Sequence, residues 1–334
     1  MKRITQIIIL LAVLLPVTVS AYDFGVNGIY YNITSSTNMT AAVTYYSMTD
    51  NTYSGTITIP EKVTHDGKTY YVTAIGESAF VGCTGLKKVN FSSQRLTSIG
   101  LYAFQGCNGM TSFVIPPQIT SIGTGAFNGC TSMTGVTIEE SEETLSLGKY
   151  DYNTYYKGLF SDCPLISVFI GRPLSYSTSN YDGYSPFANN KTIVKARLGK
   201  KLSSIPNYLF YGCSYLNEVM SCAATPPSAN ANCFANYDAT LYVPKGSVSA
   251  YKNATVWKDF YSIIGIDIVD DVIPGDVNGD GKVNITDVTD LIDYLLSGDA
   301  SAINLAGADC NQDGSVNISD VTALIDYLLS GHWN

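Results

Sequence analysis

The chain has 334 residues, room for more than one domain, with 14% charged residues and a formal net charge of −9. Residues 272–334 hold ten Asp against one Lys and carry the whole imbalance, while the remaining 18 acidic and 18 basic side chains cancel. No basic patch favours nucleic acid, and 25 tyrosines among few charges suit a β-rich recognition surface, since Tyr offers large contact area with few torsions to freeze.

The opening stretch MKRITQIIILLAVLLPVTVSA joins two basic residues to an apolar run and ends in the small-residue site Val19-Ser20-Ala21. That is the pattern of a signal peptide over residues 1–21, with Tyr22 as the mature start. No Cys lies near the site, so a lipoprotein anchor is not expected, and no later stretch is long and apolar enough to span a bilayer. Residues 22–70 alternate apolar and polar side chains in VNGIYYNI, AAVTYY, YSGTITIP and KTYYVTAI, which predicts strands and turns forming a β cap. Within them THDGKTYYV predicts a hairpin turning at Asp66-Gly67.

From about residue 71 a phrase recurs: IGESAFVGCTGL (75–86), IGLYAFQGCNGM (99–110) and IGTGAFNGCTSM (122–133). Degraded copies read YKGLFSDCPL (156–165) and IPNYLFYGCSYL (205–216), and SPFANN (185–190) and NCFANY (232–237) are weaker candidates. The cysteines of this phrase fall at 83, 107, 130, 163 and 213; the first two gaps, 24 and 23, set the period, and the last spans two periods. A period in the low twenties with one short strand per turn is a solenoid signature. The strands are expected in LKKVNF (86–91), MTSFVIP (110–116), MTGVTI (133–138) and LISVFI (165–170). The phrase resembles the leucine-rich repeats of BspA-like bacterial surface antigens. The resemblance implies a β-rich leucine-rich-repeat solenoid over residues 71–268, its C-terminal cap included. It also implies a location secreted from, or attached to, a bacterial cell.

Stacked coils bring equivalent positions together, so the five phrase cysteines are read as a buried packing ladder of thiols rather than as disulfides. With only His65 and His332 in the chain, no zinc site is expected there. Cys222 and Cys233 lie outside the ladder and are open to pairing, and Cys310 is expected as a thiol. Two segments break the period: Glu139–Tyr156, acidic then Tyr-rich, and Arg172–Phe187, rich in Ser and Tyr. Solenoid insertions map to loops, often on a binding face. Tyr150, Tyr152, Tyr155, Tyr156, Tyr176, Tyr181 and Tyr184 are the candidate ligand surface, for a host or bacterial surface protein or a glycan; variable loops without a ligand are the alternative. The segment 239–266 resembles the terminal segment that follows such repeats, with a short helix at 248–252 and a closing strand. Residues 269–275 read as a linker.

The strongest motif is a duplicated twelve-residue loop: DVNGDGKVNITD (276–287) and DCNQDGSVNISD (309–320), 33 residues apart. Each places oxygen-bearing side chains at positions one, three, five, nine and twelve, with Gly at six for the sharp turn, the ligand schedule of an EF-hand-type calcium loop. The helices that follow, VTDLIDYLLSG (288–298) and VTALIDYLLSG (321–331), differ only at Asp290 and Ala323. Their apolar residues fall at spacings 0, 3, 4, 7 and 8, one stripe per helix, and each ends in a Gly suited to the residue after the C-cap. The unit is loop then helix, twice, because VIPG before the first loop cannot extend a helix.

This arrangement resembles a type I dockerin, a small all-α calcium-binding module of paired EF-hand-like loop-helix units, over residues 276–334. The resemblance implies two calcium ions. The first would be held by Asp276, Asn278, Asp280, the Lys282 carbonyl, Asn284 and Asp287. The second would be held by Asp309, Asn311, Asp313, the Ser315 carbonyl, Asn317 and Asp320. It also implies a cohesin-like partner on a scaffold or envelope protein, contacted through Ile285, Thr286, Ile292 and Asp293 or through Ile318, Ser319, Ile325 and Asp326. The duplication allows two opposite docking orientations. Trp333 and Pro274 lie at the module's two ends, placed either as a clasp or beside a disordered tip.

Catalysis is not expected. Neither histidine is placed for a Ser-His-Asp or Cys-His arrangement, no Gly-rich phosphate loop follows a strand, and the one acidic cluster, Glu139, Glu140, Glu142 and Glu143, sits in a polar insertion. The function expected is that of an exported adhesion or interaction protein tethered by its dockerin. The alternatives are an extracellular polysaccharide-degrading component of a complex, and a structural surface protein with a calcium-stabilised tail.

Overall fold

Period-two alternation in each repeat builds a strand with one buried face. The computed structural model describes residues 21–47, 53–148, 158–176, 185–268, 274–279, 282–300, 303–311, 315–331 and 333, in two compact units, residues 1–266 and 267–334. In the first unit a seven-stranded parallel sheet runs through Ser112–Ile115, Gly135–Ile138, Ser167–Ile170, Lys195–Leu198, Glu218–Ser221, Thr240–Pro244 and Ser262–Ile266. Its register stacks Phe113, Val136, Val168, Ala196, Val219 and Leu241 on the buried face.

The expected single strand per turn is joined by a second. The Ser-Ile of the phrase forms two-residue strands at Ser98–Ile99 and Ser121–Ile122, which with Leu145–Leu147 and Leu174–Ser175 extend a second sheet from Lys68–Ile75. Two residues carry too little pattern for a period-two signal, so only stacking reveals them. The Gly that follows Ser-Ile explains itself here: a Cβ on Gly100 would lie 2.7 Å from the Gly76 backbone, and Gly123 and Gly148 meet the preceding coil in the same way.

The core between the sheets is a stack of rings. Phe80, Phe104, Phe127, Phe160, Phe187, Phe210 and Phe234 follow one another at centroid distances of 5.0–5.8 Å. Phe187 and Phe234 come from SPFANN and NCFANY, so both weak copies place their Phe in the stack. Tyr53 closes one end of the stack at 4.8 Å and Trp257 the other at 5.6 Å. The Trp257 indole N–H donates to the Pro227 carbonyl at 2.6 Å, which satisfies its one polar atom within the core.

All eight cysteines are buried thiols, so Cys222 and Cys233 form no bridge. The ladder thiols also have directional partners. Cys107, Cys130, Cys163 and Cys213 each donate to the carbonyl of the ladder Phe one coil before, at 2.9–3.1 Å. Asn190, in the Cys position of its coil, donates its amide to the Cys163 carbonyl at 2.9 Å. A small buried donor is what the position requires, and Cys meets that without the cost of burying a stronger polar group.

At the N-terminus Phe24–Val26, Ile29–Ser35 and Thr40–Thr44 run antiparallel, and Thr40–Thr44 pairs in parallel with Lys68–Ile75, so cap and repeats share a sheet. The hairpin Lys62–His65/Lys68–Ile75 turns at Asp66 and Gly67, with φ of 48° and 71°, the positive pair of a tight two-residue turn. His65 stacks on Phe24 at 4.4 Å, a packing role. At the far end come the helix Val248–Asn253 and the closing strand Ser262–Ile266. The buried Tyr251 hydroxyl donates to the Ala223 carbonyl at 2.8 Å.

The second unit has its own core of Val277, Val288, Leu291, Ala308, Cys310, Val321 and Leu324. Helices Ile285–Ser297 and Ile318–Ser330 each end at a left-handed Gly, Gly298 and Gly331, whose amides bond back to Tyr294 and Tyr327. A short helix, Leu305–Ala308, precedes the second loop and has no counterpart in the sequence reading. It is four residues long and carries no periodic stripe.

Candidate calcium and docking site

The loops are built around their last residue. Asp287 is fully buried: its Oδ1 accepts from the backbone N–H of Val277 (2.9 Å) and Asn278 (3.2 Å), and its Oδ2 from that of Asn284 (2.9 Å). Asp320 repeats this with Asn311 (3.1 Å) and Asn317 (2.8 Å). Asn284 and Asn317 are the N-caps, their Oδ1 atoms accepting from Thr286 and Ser319 N–H at 2.9 Å. Positions nine and twelve thus form a capping box that starts each helix, a role the sequence reading did not assign. The signal was present as Asn-x-x-Asp before an apolar run.

The two loops are tied together. Gly275 N–H donates to the Gly307 carbonyl at 2.8 Å, and Asn304 N–H to that of Val277 at 2.7 Å. A Cβ on Gly275 would lie 2.8 Å from each of Trp333, Leu324 and Val283, and Trp333 stacks on Tyr327 at 4.3 Å. Trp333 is therefore packed against the start of the module, in the manner of a clasp.

Asp276 is buried and Asn278 half-buried, whereas Asn311, Lys282 and Ser315 are exposed. Asn278 donates its amide to Asp290 at 3.2 Å and Asn311 donates its own to Ser319 at 2.8 Å. Asp280 and Asp313 lie outside the described residues. The side chains at the ligand positions offer oxygen donors, the chemistry of a hard cation. Cys310 does not change that: burial pushes its thiol up to about 12, and it donates to the Gly307 carbonyl at 3.6 Å. The donor set fits calcium and not a thiophilic metal.

The helices show where a partner has room. Ile285, Thr286, Ile292 and Asp293 are exposed, as are Ile318, Ser319, Ile325 and Asp326. The single apolar stripe expected on each helix is split. Val288 and Leu291 face the core, as do Val321 and Leu324, but Ile292 and Leu296 are 37% and 83% exposed, and Ile325 and Leu329 39% and 82%. Two helices cover only the inner edge of a stripe this wide. Leu296 and Leu329, which the partner-contact positions did not include, thus join Ile285 and Ile318 on open faces.

Of the tyrosines in the insertions only Tyr176 lies among the described residues. It is half-buried against the core, and its hydroxyl donates to the Asn207 carbonyl at 3.0 Å. The acidic insertion is tied to later coils. Glu140 accepts from Lys200 N–H at 3.1 Å and Glu142 pairs with Lys201 at 3.2 Å. Burial pushes the Glu139 carboxyl up while Arg172 acts in the opposite sense. Arg172, fully buried and missed by the sequence reading, donates to the carbonyls of Pro117 (2.7 Å) and Pro116 (2.9 Å), holding an earlier turn.

The model of the BspA type leucine rich repeat region matches residues 26–175 and 157–253 in six copies. The chain belongs to that family. The model of the dockerin type I domain matches residues 274–329. Among solved structures, this BspA-type chain is similar to a leucine-rich repeat protein of T. pallidum, at 18% identity over 73% of this chain and 99% of that one, with a TM-score of 0.43. It is also similar to a leucine-rich repeat protein of Bacteroides ovatus (19% identity, 74% and 82% covered, TM-score 0.27) and to a leucine rich cell surface protein of Faecalibacterium prausnitzii (14%, 73% and 95%, TM-score 0.23). No curated protein matches. Both matched families are non-catalytic modules, and dockerin type I domains are calcium-binding modules whose partner is cohesin. No helix among the described residues is long and apolar enough to cross a membrane.

Proposed function

We propose that this BspA-type protein is an exported, non-catalytic interaction protein. Its repeat unit presents a binding surface, and its dockerin, loaded with two calcium ions, docks it onto a cohesin-bearing scaffold or envelope protein. Asp276, Asn278, Asp280, Asn284, Asp287 and the Lys282 carbonyl would hold one ion. Asp309, Asn311, Asp313, Asn317, Asp320 and the Ser315 carbonyl would hold the other. The ions' role is to draw each loop's acidic side chains together and fix the start of the helix behind it.

The observation that carries the docking role is the doubled apolar face. Ile285 and Ile318 are 69% and 70% exposed, each on a helix that also exposes a Leu near its end. Large apolar side chains left open in the same pattern on two copies mark an interaction surface. The near-identity of the copies supports docking through either helix.

The test is capture by the full chain from the source cell's envelope and secreted fractions, with calcium or with chelator. A protein bearing a cohesin domain, recovered only with calcium and lost when Ile292 and Ile325 are both changed to Asp, is the expected result. Retention of the same protein by that double variant would refute the assigned face. Calcium-stabilised helices with no cohesin-bearing protein recovered would leave a structural tail as the reading.

A further inference from the structure

The two loop-helix copies follow one pattern, and the differences between their helices fall in one place. NITDVTDLIDYLLSG (284–298) and NISDVTALIDYLLSG (317–331) differ only at Thr286/Ser319 and Asp290/Ala323. One member of each pair holds the Asn at loop position three. In the first copy the Asn278 amide donates to the Asp290 carboxylate at 3.2 Å. In the second the Asn311 amide donates to the Ser319 hydroxyl at 2.8 Å.

These partners are not equivalent. A carboxylate only accepts, so Asn278 must turn its amide nitrogen toward Asp290 and its Oδ1 away from it. A hydroxyl both donates and accepts, so Ser319 can hold either end of the Asn311 carboxamide. The first bond is charge-assisted and joins two half-buried side chains, whereas Asn311 and Ser319 are exposed, where water competes. An Asn in a calcium loop ligates through its carbonyl oxygen. The first loop therefore has its third ligand pre-set, and the second must order its own when the ion arrives. Net charge does not separate the copies. Lys282 offsets Asp290, and residues 276–298 and 309–331 carry the same net charge.

We propose that Asp290 is a positioning residue for the first calcium site, and that this site binds its ion about tenfold more tightly than the second. The proposal rests on the reading of both loops as calcium sites and gives the module a loading order. The start of the first helix is fixed at calcium concentrations that leave the second loop largely empty. The test is stepwise calcium addition to the chelator-treated full chain carrying isotope-labelled asparagine. The backbone amide resonances of Asn284 and Asn317 are the readouts, since each amide donates to the last Asp of its own loop. Asn284 is expected to reach its bound position at about one-tenth of the free calcium that Asn317 needs. Asp290→Ala should weaken the first site about tenfold, equivalent to about 1.4 kcal/mol. Asp290→Ala with Ala323→Asp should reverse the order. Asp290→Ala with Lys282→Gln restores the net charge and should stay weak, because position seven of a calcium loop acts through its backbone carbonyl. Full recovery in that variant would mean that Asp290 acts by charge alone, and would overturn the positioning role. Equal affinity of the two loops in the parent chain, or an unchanged first site in Asp290→Ala, would overturn the proposal. Failure of both amides to respond to calcium would instead refute the reading of the loops as calcium sites, and the proposal with it.

Discussion

Asp287→Ala tests how the dockerin unit is held. The carboxylate is fully buried and accepts three backbone N–H bonds at 2.9–3.2 Å, two from the start of its loop and one from the helix N-cap. Hydrogen bonds to a charged acceptor contribute about 1.5–3 kcal/mol each. Even at the lower figure the three together come to about 4.5 kcal/mol. A unit of this size has roughly 3–9 kcal/mol of total stability, so the loss is about half of it or more, and the protection of both helices should fall steeply. Calcium cannot restore it by mass action if Asp287 is also a ligand. Hydrogen exchange read by mass spectrometry on the full chain is the assay. Peptides within 282–300 and 315–331 should lose protection together, because Leu291 and Leu324 share one core, while peptides within 98–148 should not change. Asp290→Ala is the control: it loses one side-chain bond to Asn278, and the second helix already carries Ala323 there. Protection of both helices unchanged in Asp287→Ala would refute the account.

Other outcomes follow from the same geometry. Phe127→Ala removes a ring stacked at 5.3 Å on both Phe104 and Phe160, and should cost about 3–5 kcal/mol. Val114→Ala on the open sheet face should stay within about 0.5 kcal/mol in denaturant titration. The buried thiols should resist iodoacetamide at pH 8 in the folded chain and all react once it is denatured. Burial pushes Cys83 and Cys213 up to about 11 from 9.0. Because the folded state favours the neutral thiol, their contribution is intact below about pH 9 and is lost as pH rises through about 11. A urea midpoint flat from pH 9 to 11 would contradict this. Gly275→Ala should expose Trp333, read as a red-shifted emission, because no Cβ fits between its ring, Leu324 and Val283.

Much of the fold was legible because repeats write their interior positions many times. The Cys of the phrase recurs at one position in every strong copy, so its period located the thiol ladder, while the Phe stack beside it emerged only from the tertiary structure. SPFANN was faint because its Cys position holds Asn190. The structure shows why that is tolerated, since Asn190 makes a bond to the neighbouring coil as the thiols do. The paired Ser-Ile strands and the Arg172 clamp were not legible. Two residues have no period, and Arg172 acts on Pro116 and Pro117 more than fifty positions away.

In the dockerin, spacing alone determined where each helix ends, because helix termination is a local property of the chain. It did not decide which edge of the apolar stripe is covered. That depends on how much surface two short helices bury against each other, and it leaves Ile292, Leu296, Ile325 and Leu329 outside. Nor did it show that Asp287 and Asp320 fasten the loop to the helix start, or that the ladder thiols donate to the Phe carbonyls of the preceding coil. Both depend on which backbone groups three-dimensional packing brings within reach of each other, and only the tertiary structure decides that.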